Sequence, residues 1–86
     1  MTTTDAKRRI YQYIVEKFPL ARKRNIGNHD SLLETGVLDS LGILDLVHFL
    51  ETEFGFQVTD EELLPENFQS VDSISVFVTE KTSAER

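Results

Sequence analysis

No cysteine occurs among the 86 residues, which excludes a disulfide framework, thiolate metal sites and a cysteine nucleophile of the chain's own. Any thiol chemistry has to use a thiol brought from outside. Tryptophan is absent as well, and no apolar run approaches the ~18 residues that a membrane-spanning helix requires. The first residues, "MTTTDAKRRI", lack the apolar stretch of a secretory signal, so a cytoplasmic protein without membrane insertion is expected. Positive charge is missing from the middle: no Lys or Arg stands between Asn25 and Glu80, while that span holds twelve of the fifteen Asp and Glu residues. A one-sign acidic surface of this kind disfavours nucleic-acid phosphates; on charge alone it fits equally a face that steers encounters with basic partner surfaces and a solvated face with no particular partner.

What is present fits one small domain. The length supports a single modest core and is too short for two lobes around a deep catalytic cleft. A single domain over 1–86 is expected, with an ordered core at about 4–80 and flexible tails at 1–3 and 82–86. The 40% apolar and 28% charged composition is that of a globular chain.

Helical periodicity dominates. Ile10, Tyr11, Ile14, Val15 and Phe18 recur at helical spacing between Thr4 and Phe18, with Thr3 or Thr4 available as a cap and Pro19 closing the segment. A long irregular connection, Leu20 to Leu38, follows, and Leu32, Leu33, Val37 and Leu38 are its anchors to the core. The best determined element runs from about Ser40 to Phe54, where Gly55 offers a stop. Ile43, Leu46, Val47, Leu50 and Phe54 form its core stripe, which leaves Leu41, Leu44 and His48 on the other side among Asp45, Glu51 and Thr52. One short helical turn is expected after Thr59 or Pro65. The segment from Val71 to Lys81 fits a helix capped by Ser70, although the β-branched Ile74, Val76 and Val78 also alternate as in a strand. The fold class is therefore all-α: a small four-helix bundle of three main helices and one short one, with a long first loop.

Candidate chemistry is sparse. In "ETGVLDSLG" Asp39 suits an N-cap, and Ser40 is then the first helical residue, its hydroxyl pointing outward at a helix N-terminus. There the unpaired N–H groups favour an anionic phosphate ester on the same side chain, yet for a bare Asp-Ser pair before a helix capping alone is the favoured reading. A serine nucleophile would need a base and an oxyanion hole. His48 lies about 12 Å along the same helix, His29 sits in the loop, and the Gly-x-Ser-x-Gly elbow is missing, so no enzyme is expected. His29 with Asp30, and Asp60-Glu61-Glu62, lack the ligand spacing of zinc or calcium sites. Arg22-Lys23-Arg24 is too short a basic run for nucleic acid. Leu41 and Leu44 read either as chance exposure, since single exposed leucines need no explanation, or as a docking patch for a partner with an apolar dent and a basic rim.

The run "ETGVLDSLGILDLVHFLETEFGFQV", followed by "DEELLPENFQSVDSISVFV", resembles the acyl and peptidyl carrier proteins, small acidic four-helix bundles that carry 4′-phosphopantetheine on the serine of an Asp-Ser-Leu motif. The resemblance covers nearly the whole chain. It implies that Ser40 is the attachment point, so that the chain is a phosphoprotein, and that Asp39 serves recognition by the phosphopantetheinyl transferase. It also places Leu41, Leu44, Asp45, His48 and Glu51 where the family's second helix meets partner enzymes. His48 departs from the apolar residue usual there. Gly42 departs too, costing a helix up to ~1 kcal/mol relative to Ala; "DS", an apolar residue and Gly look more like stand-alone carriers of the D-alanyl or specialised-metabolism kind. The implied function is that of a stand-alone, monomeric carrier holding an acyl or aminoacyl group as a thioester. Its implied partners are the transferase, a loading enzyme and downstream enzymes with basic docking surfaces. The rival reading is a non-enzymatic helical interaction module in which Ser40 merely caps.

Overall fold

The structure, a computed structural model, describes residues 3–84. Helix α1 spans Thr3–Lys17, α2 Pro19–Lys23, α3 Ser40–Phe54 and α4 Val71–Ala84; two single 3-10 turns, Asp60–Glu62 and Pro65–Asn67, lie between α3 and α4. No strand occurs among the described residues, and the all-α bundle is the fold expected. The caps anticipated at Thr3 or Thr4 lie outside the described side chains. Residues 1–2 and 85–86 of the expected tails fall outside the described residues, while α4 continues through 82–84 as helix.

Each helix contributes one stripe to a common core. Ala6, Ile10 and Ile14 enter from α1, Leu46 and Leu50 from α3, and Val71, Ile74, Phe77 and Val78 from α4. The β-branched run resolves as helix because Ile74 and Val78 are fully buried while Val76 is 52% exposed; a strand would put all three on one face. Ser70 caps α4 as expected, its Oγ accepting the Ser73 N–H at 3.1 Å.

Two segments depart from expectation. Pro19 does end α1, but it also opens α2, supplying the fixed φ that suits a first helical turn. Ala21 plugs that five-residue helix into the core. It is too short to display a period, which is why the sequence reads as loop from Leu20. The single turn expected beyond α3 is instead a pair of 3-10 turns, and both Thr59 and Pro65 start one.

The remaining first loop is pinned rather than loose. Ile26, Leu32, Val37 and Leu38 are buried, whereas Leu33 only packs against the core. The Leu32 N–H donates to the Gln69 carbonyl at 2.6 Å, the Leu38 N–H to the Leu32 carbonyl at 2.9 Å and the Asp72 N–H to the Asn28 carbonyl at 3.1 Å. These bonds satisfy backbone groups that would otherwise be buried unpaired. They also set where the loop delivers Asp39 to the start of α3.

Acid should loosen one corner. Glu62 accepts the Thr59 N–H and pairs with Lys81 Nζ at 2.9 Å, and the Thr59 backbone bond, then the Lys81 bond, lower its carboxyl below 4.5. A depressed carboxyl stabilises the fold above its unfolded pKa, and that contribution disappears as pH falls through the folded value. Glu62→Gln keeps the capping geometry without the charge. The urea midpoint of the wild type is therefore expected to fall more than that of Glu62→Gln between pH 6 and about 3; parallel profiles would contradict this assignment.

Candidate functional site

The start of α3 is organised by Asp39. Its backbone is extended, with φ −121° and ψ −171°, and its Oδ1 accepts the Gly42 N–H at 2.7 Å. Its carbonyl accepts the Ile43 N–H at 2.9 Å. One of the orphan donors of the first turn is thus satisfied, at a gain typical of about 1 kcal/mol. The Ser40 and Leu41 N–H groups, in the first turn, have no intrahelical acceptor.

Ser40 is exposed, and its hydroxyl makes no hydrogen bond among the described residues. Leu41 and Leu44 stand beside it 73% and 59% exposed, a level that rules out a core role for either. Asp45 and His48 are exposed on the same helix. Glu51 differs: it is half-buried, and its Oε2 accepts the Val58 N–H at 2.9 Å, tying the chain after α3 back onto the helix. Five of the six residues Asp39, Ser40, Leu41, Leu44, Asp45 and His48 follow Asp39 on α3 as one solvent-facing strip, and Glu51 lies at its inner edge with a structural bond of its own.

Among the described residues no histidine reaches the serine. His48 lies two turns away along α3, and His29 Nδ1 is engaged with Asp72, whose other oxygen pairs with Lys7 at 2.7 Å. Among the described residues no cluster of His, Asp or Glu has metal-binding geometry. The arrangement can present a hydroxyl, accept an anionic substituent and dock an apolar surface, but it cannot activate that hydroxyl unaided.

The sequence reading missed what lies behind the strip. The fully buried stripe of α3 is Gly42, Leu46 and Leu50, with Ile43, Val47 and Phe54 only half-buried. Gly42 is bare for a packing reason: a methyl there would sit 3.0 Å from Phe18 Cε1, 3.3 Å from Asp39 Oδ1 and 3.4 Å from Leu38 Cδ2. Behind Phe18 stands Tyr13, edge to face with ring centroids 6.1 Å apart, and Tyr13 in turn stacks on Phe49 at 4.0 Å. The Tyr13 hydroxyl donates to the Asp45 carbonyl at 3.3 Å. Burial, with a smaller contribution from the Asp45 carboxylate, raises that phenol above its ordinary value and keeps it a donor. A glycine on the core stripe of an otherwise regular helix was the available signal.

Comparison with known proteins agrees with this geometry. The sequence model of a family described as "Phosphopantetheine attachment site" matches residues 8–78. A protein of Serratia sp. named "Probable acyl carrier protein PigG" is 30% identical over 70 residues, covering 81% of this chain and 80% of that protein. The "Acyl carrier protein" of Buchnera aphidicola subsp. Baizongia pistaciae is 37% identical over 68 residues, covering 79% of this chain and 83% of its own.

Proposed function

The chain belongs to the phosphopantetheine-attachment family of acyl carrier proteins, and from that membership we propose that its covalent 4′-phosphopantetheine is attached to the Ser40 hydroxyl. The protein is a carrier rather than a catalyst, and a phosphopantetheinyl transferase and biosynthetic enzymes are its partners. No helix among the described residues is long and apolar enough to cross a membrane. When bound, the prosthetic group supplies the thiol for a thioester with the acyl cargo, which a chain without cysteine cannot do itself.

One observation carries the choice of residue: Ser40 is an unbonded, exposed hydroxyl one step inside a capped helix, inside the matched span and next to two exposed leucines. The chain's own residues have separable tasks. Asp39 fixes the first turn and is the motif neighbour read by the transferase. The free N–H groups at the helix start stabilise the phosphodiester anion that attachment creates. Leu41 and Leu44 enter an apolar dent on the partner, while Asp45 and His48 meet its rim; Glu51 contributes charge from the edge. The transferase provides the base that this chain lacks. Residues 1–86 act as one carrier domain, monomeric so that it can visit several enzymes.

The test is direct. Incubated with coenzyme A and a broad-specificity phosphopantetheinyl transferase, the apo protein is expected to gain one pantetheine mass, located on the peptide containing Ser40. A helical, folded chain that gains nothing, or gains it elsewhere, refutes the assignment.

Partner chemistry follows from charge. With no Lys or Arg between Asn25 and Glu80, partners are expected to present Lys and Arg to α3. Binding should weaken several-fold between ~0.1 and ~1 M salt, as the screening length falls from ~10 to ~3 Å. A salt-independent dissociation constant would count against a basic rim.

A further inference from the structure

We propose that Phe18 is a positioning residue for Ser40, and that Gly42 is the notch that seats it; the inference rests on the carrier reading above. The half-buried ring of Phe18 reaches the first turn of α3 at the one place where that turn has no side chain. At 100° per residue, Gly42 and Phe49 lie on nearly the same side of α3, with the Asp45 carbonyl close to that line, and Ser40 points roughly 160° away. Phe18 therefore bears on the back of the turn whose front carries the serine.

The ring is held from behind. Tyr13 meets Phe18 edge to face, stacks on Phe49 with an interplanar angle of 10°, and bonds the Asp45 carbonyl. The path leaves α3 at Gly42, passes through Phe18 at the junction of α1 and α2 and then Tyr13 of α1, and returns to α3 at Asp45 and Phe49. A closed aromatic belt of this kind fixes both the spacing of α3 from α1 and the direction its first turn faces. A swing of Phe18 away from the notch would disturb its edge-to-face contact with Tyr13. Leu38 and the Asp39 carboxylate close the other two sides at 3.4 and 3.3 Å, so a methyl here requires its neighbours to give by a few tenths of an ångström, and through the Asp39 carboxylate that caps the helix the displacement reaches the first turn. Ser40 and Leu41 move with it.

The reciprocal swap is the decisive experiment. Gly42→Ala overfills the notch and Phe18→Leu empties it, whereas the double variant exchanges volume across the contact. Transferase loading is followed as kcat/KM well below each variant's melting temperature, and the backbone amide shifts of Ser40 and Leu41 are recorded on the apo chains. Each single variant is expected to lose about fivefold in kcat/KM, equivalent to about 1 kcal/mol, with displaced Ser40 and Leu41 amides. The double variant is expected to return to within about twofold of wild type, with both amides back in place, even though it melts below wild type. Independent losses multiplying to about 25-fold, or single variants with wild-type amide shifts, would overturn the proposal. Failure of the wild type to load would refute the carrier reading instead, and the amide shifts would still decide whether Phe18 sets the position of the turn.

Discussion

Ser40→Ala is expected to abolish pantetheine uptake entirely while shifting the melting temperature by no more than about 4 °C. The stability half follows from the environment of the side chain. Ser40 is exposed and its hydroxyl has no partner among the described residues. Alanine is the better helix former, surface substitutions of this kind stay within about 0.5 kcal/mol, and for a domain of this size 1 kcal/mol corresponds to about 4–8 °C. The Asp39 cap does not involve the hydroxyl. The chemical half follows from the other serines, none of which is placed to substitute. Ser75 is fully buried and donates to the Asp72 carbonyl, Ser70 caps α4 with Ser73 against it, and Ser31 accepts the Glu34 N–H in the first loop. Ser83 is exposed, but it stands in the last turn of α4, where carbonyls rather than N–H groups are unpaired and a phosphate is disfavoured. Intact masses before and after incubation with the transferase, with thermal melts of the same samples, read both halves. Residual uptake by a folded Ser40→Ala chain would move the site elsewhere.

That separation of chemistry from stability explains why the geometry of the candidate site was partly legible in the sequence. Capping and presentation are local properties: an Asp before the helix, a Ser one step inside it and a Gly fifteen residues on delimit α3, and the structure ends it at Gly55 with φ 72°. Exposure of Leu41 and Leu44 also follows from helical phase alone. The choice between a cap and an attachment point was not local, and it was the resemblance over the whole chain that selected Ser40.

Other features depend on how elements meet, which no single window of sequence encodes. The Tyr13–Phe49 stack joins residues far apart in the chain and exists only at one spacing of α1 from α3. Gly42 consequently reads in sequence as a small loss of helix propensity, and only the ring of Phe18 against it supplies the reason. Glu51 illustrates the converse. On a helical wheel it borders the exposed strip of α3, but the chain beyond Gly55 folds back and takes its carboxylate as a backbone acceptor. Short elements escape for another reason, since five residues from Pro19 to Lys23 hold too little periodicity to be distinguished from a turn.

Phe68→Ala is expected to have the largest effect on the fold itself, leaving the chain marginal or unfolded at 25 °C. Phe68 is 1% exposed, closes the segment between the second 3-10 turn and α4, and packs on Phe77 at 5.7 Å between ring centroids, with Phe56 on that same ring at 6.1 Å. Truncating a buried phenylalanine typically costs about 3–5 kcal/mol, part of it for the cavity left behind. A domain of this length has a total stability of about 4–13 kcal/mol at 0.05–0.15 kcal/mol per residue, so the loss takes a large share of it. The neighbours cannot easily collapse into the space. Phe77 is also engaged edge to face with Phe56, and the adjoining Gln69 carbonyl is committed to the Leu32 N–H. Loosening this point therefore also frees the first loop that delivers Asp39 to α3. Urea melts monitored by circular dichroism are expected to show a midpoint near zero denaturant, or no folded baseline, and transferase loading should fall with the folded fraction. Ser40→Ala and Phe68→Ala thus both lose uptake, but only the second loses helix content. A Phe68→Ala chain with wild-type midpoint would mean that the ring cluster contributes far less to this bundle than its burial implies.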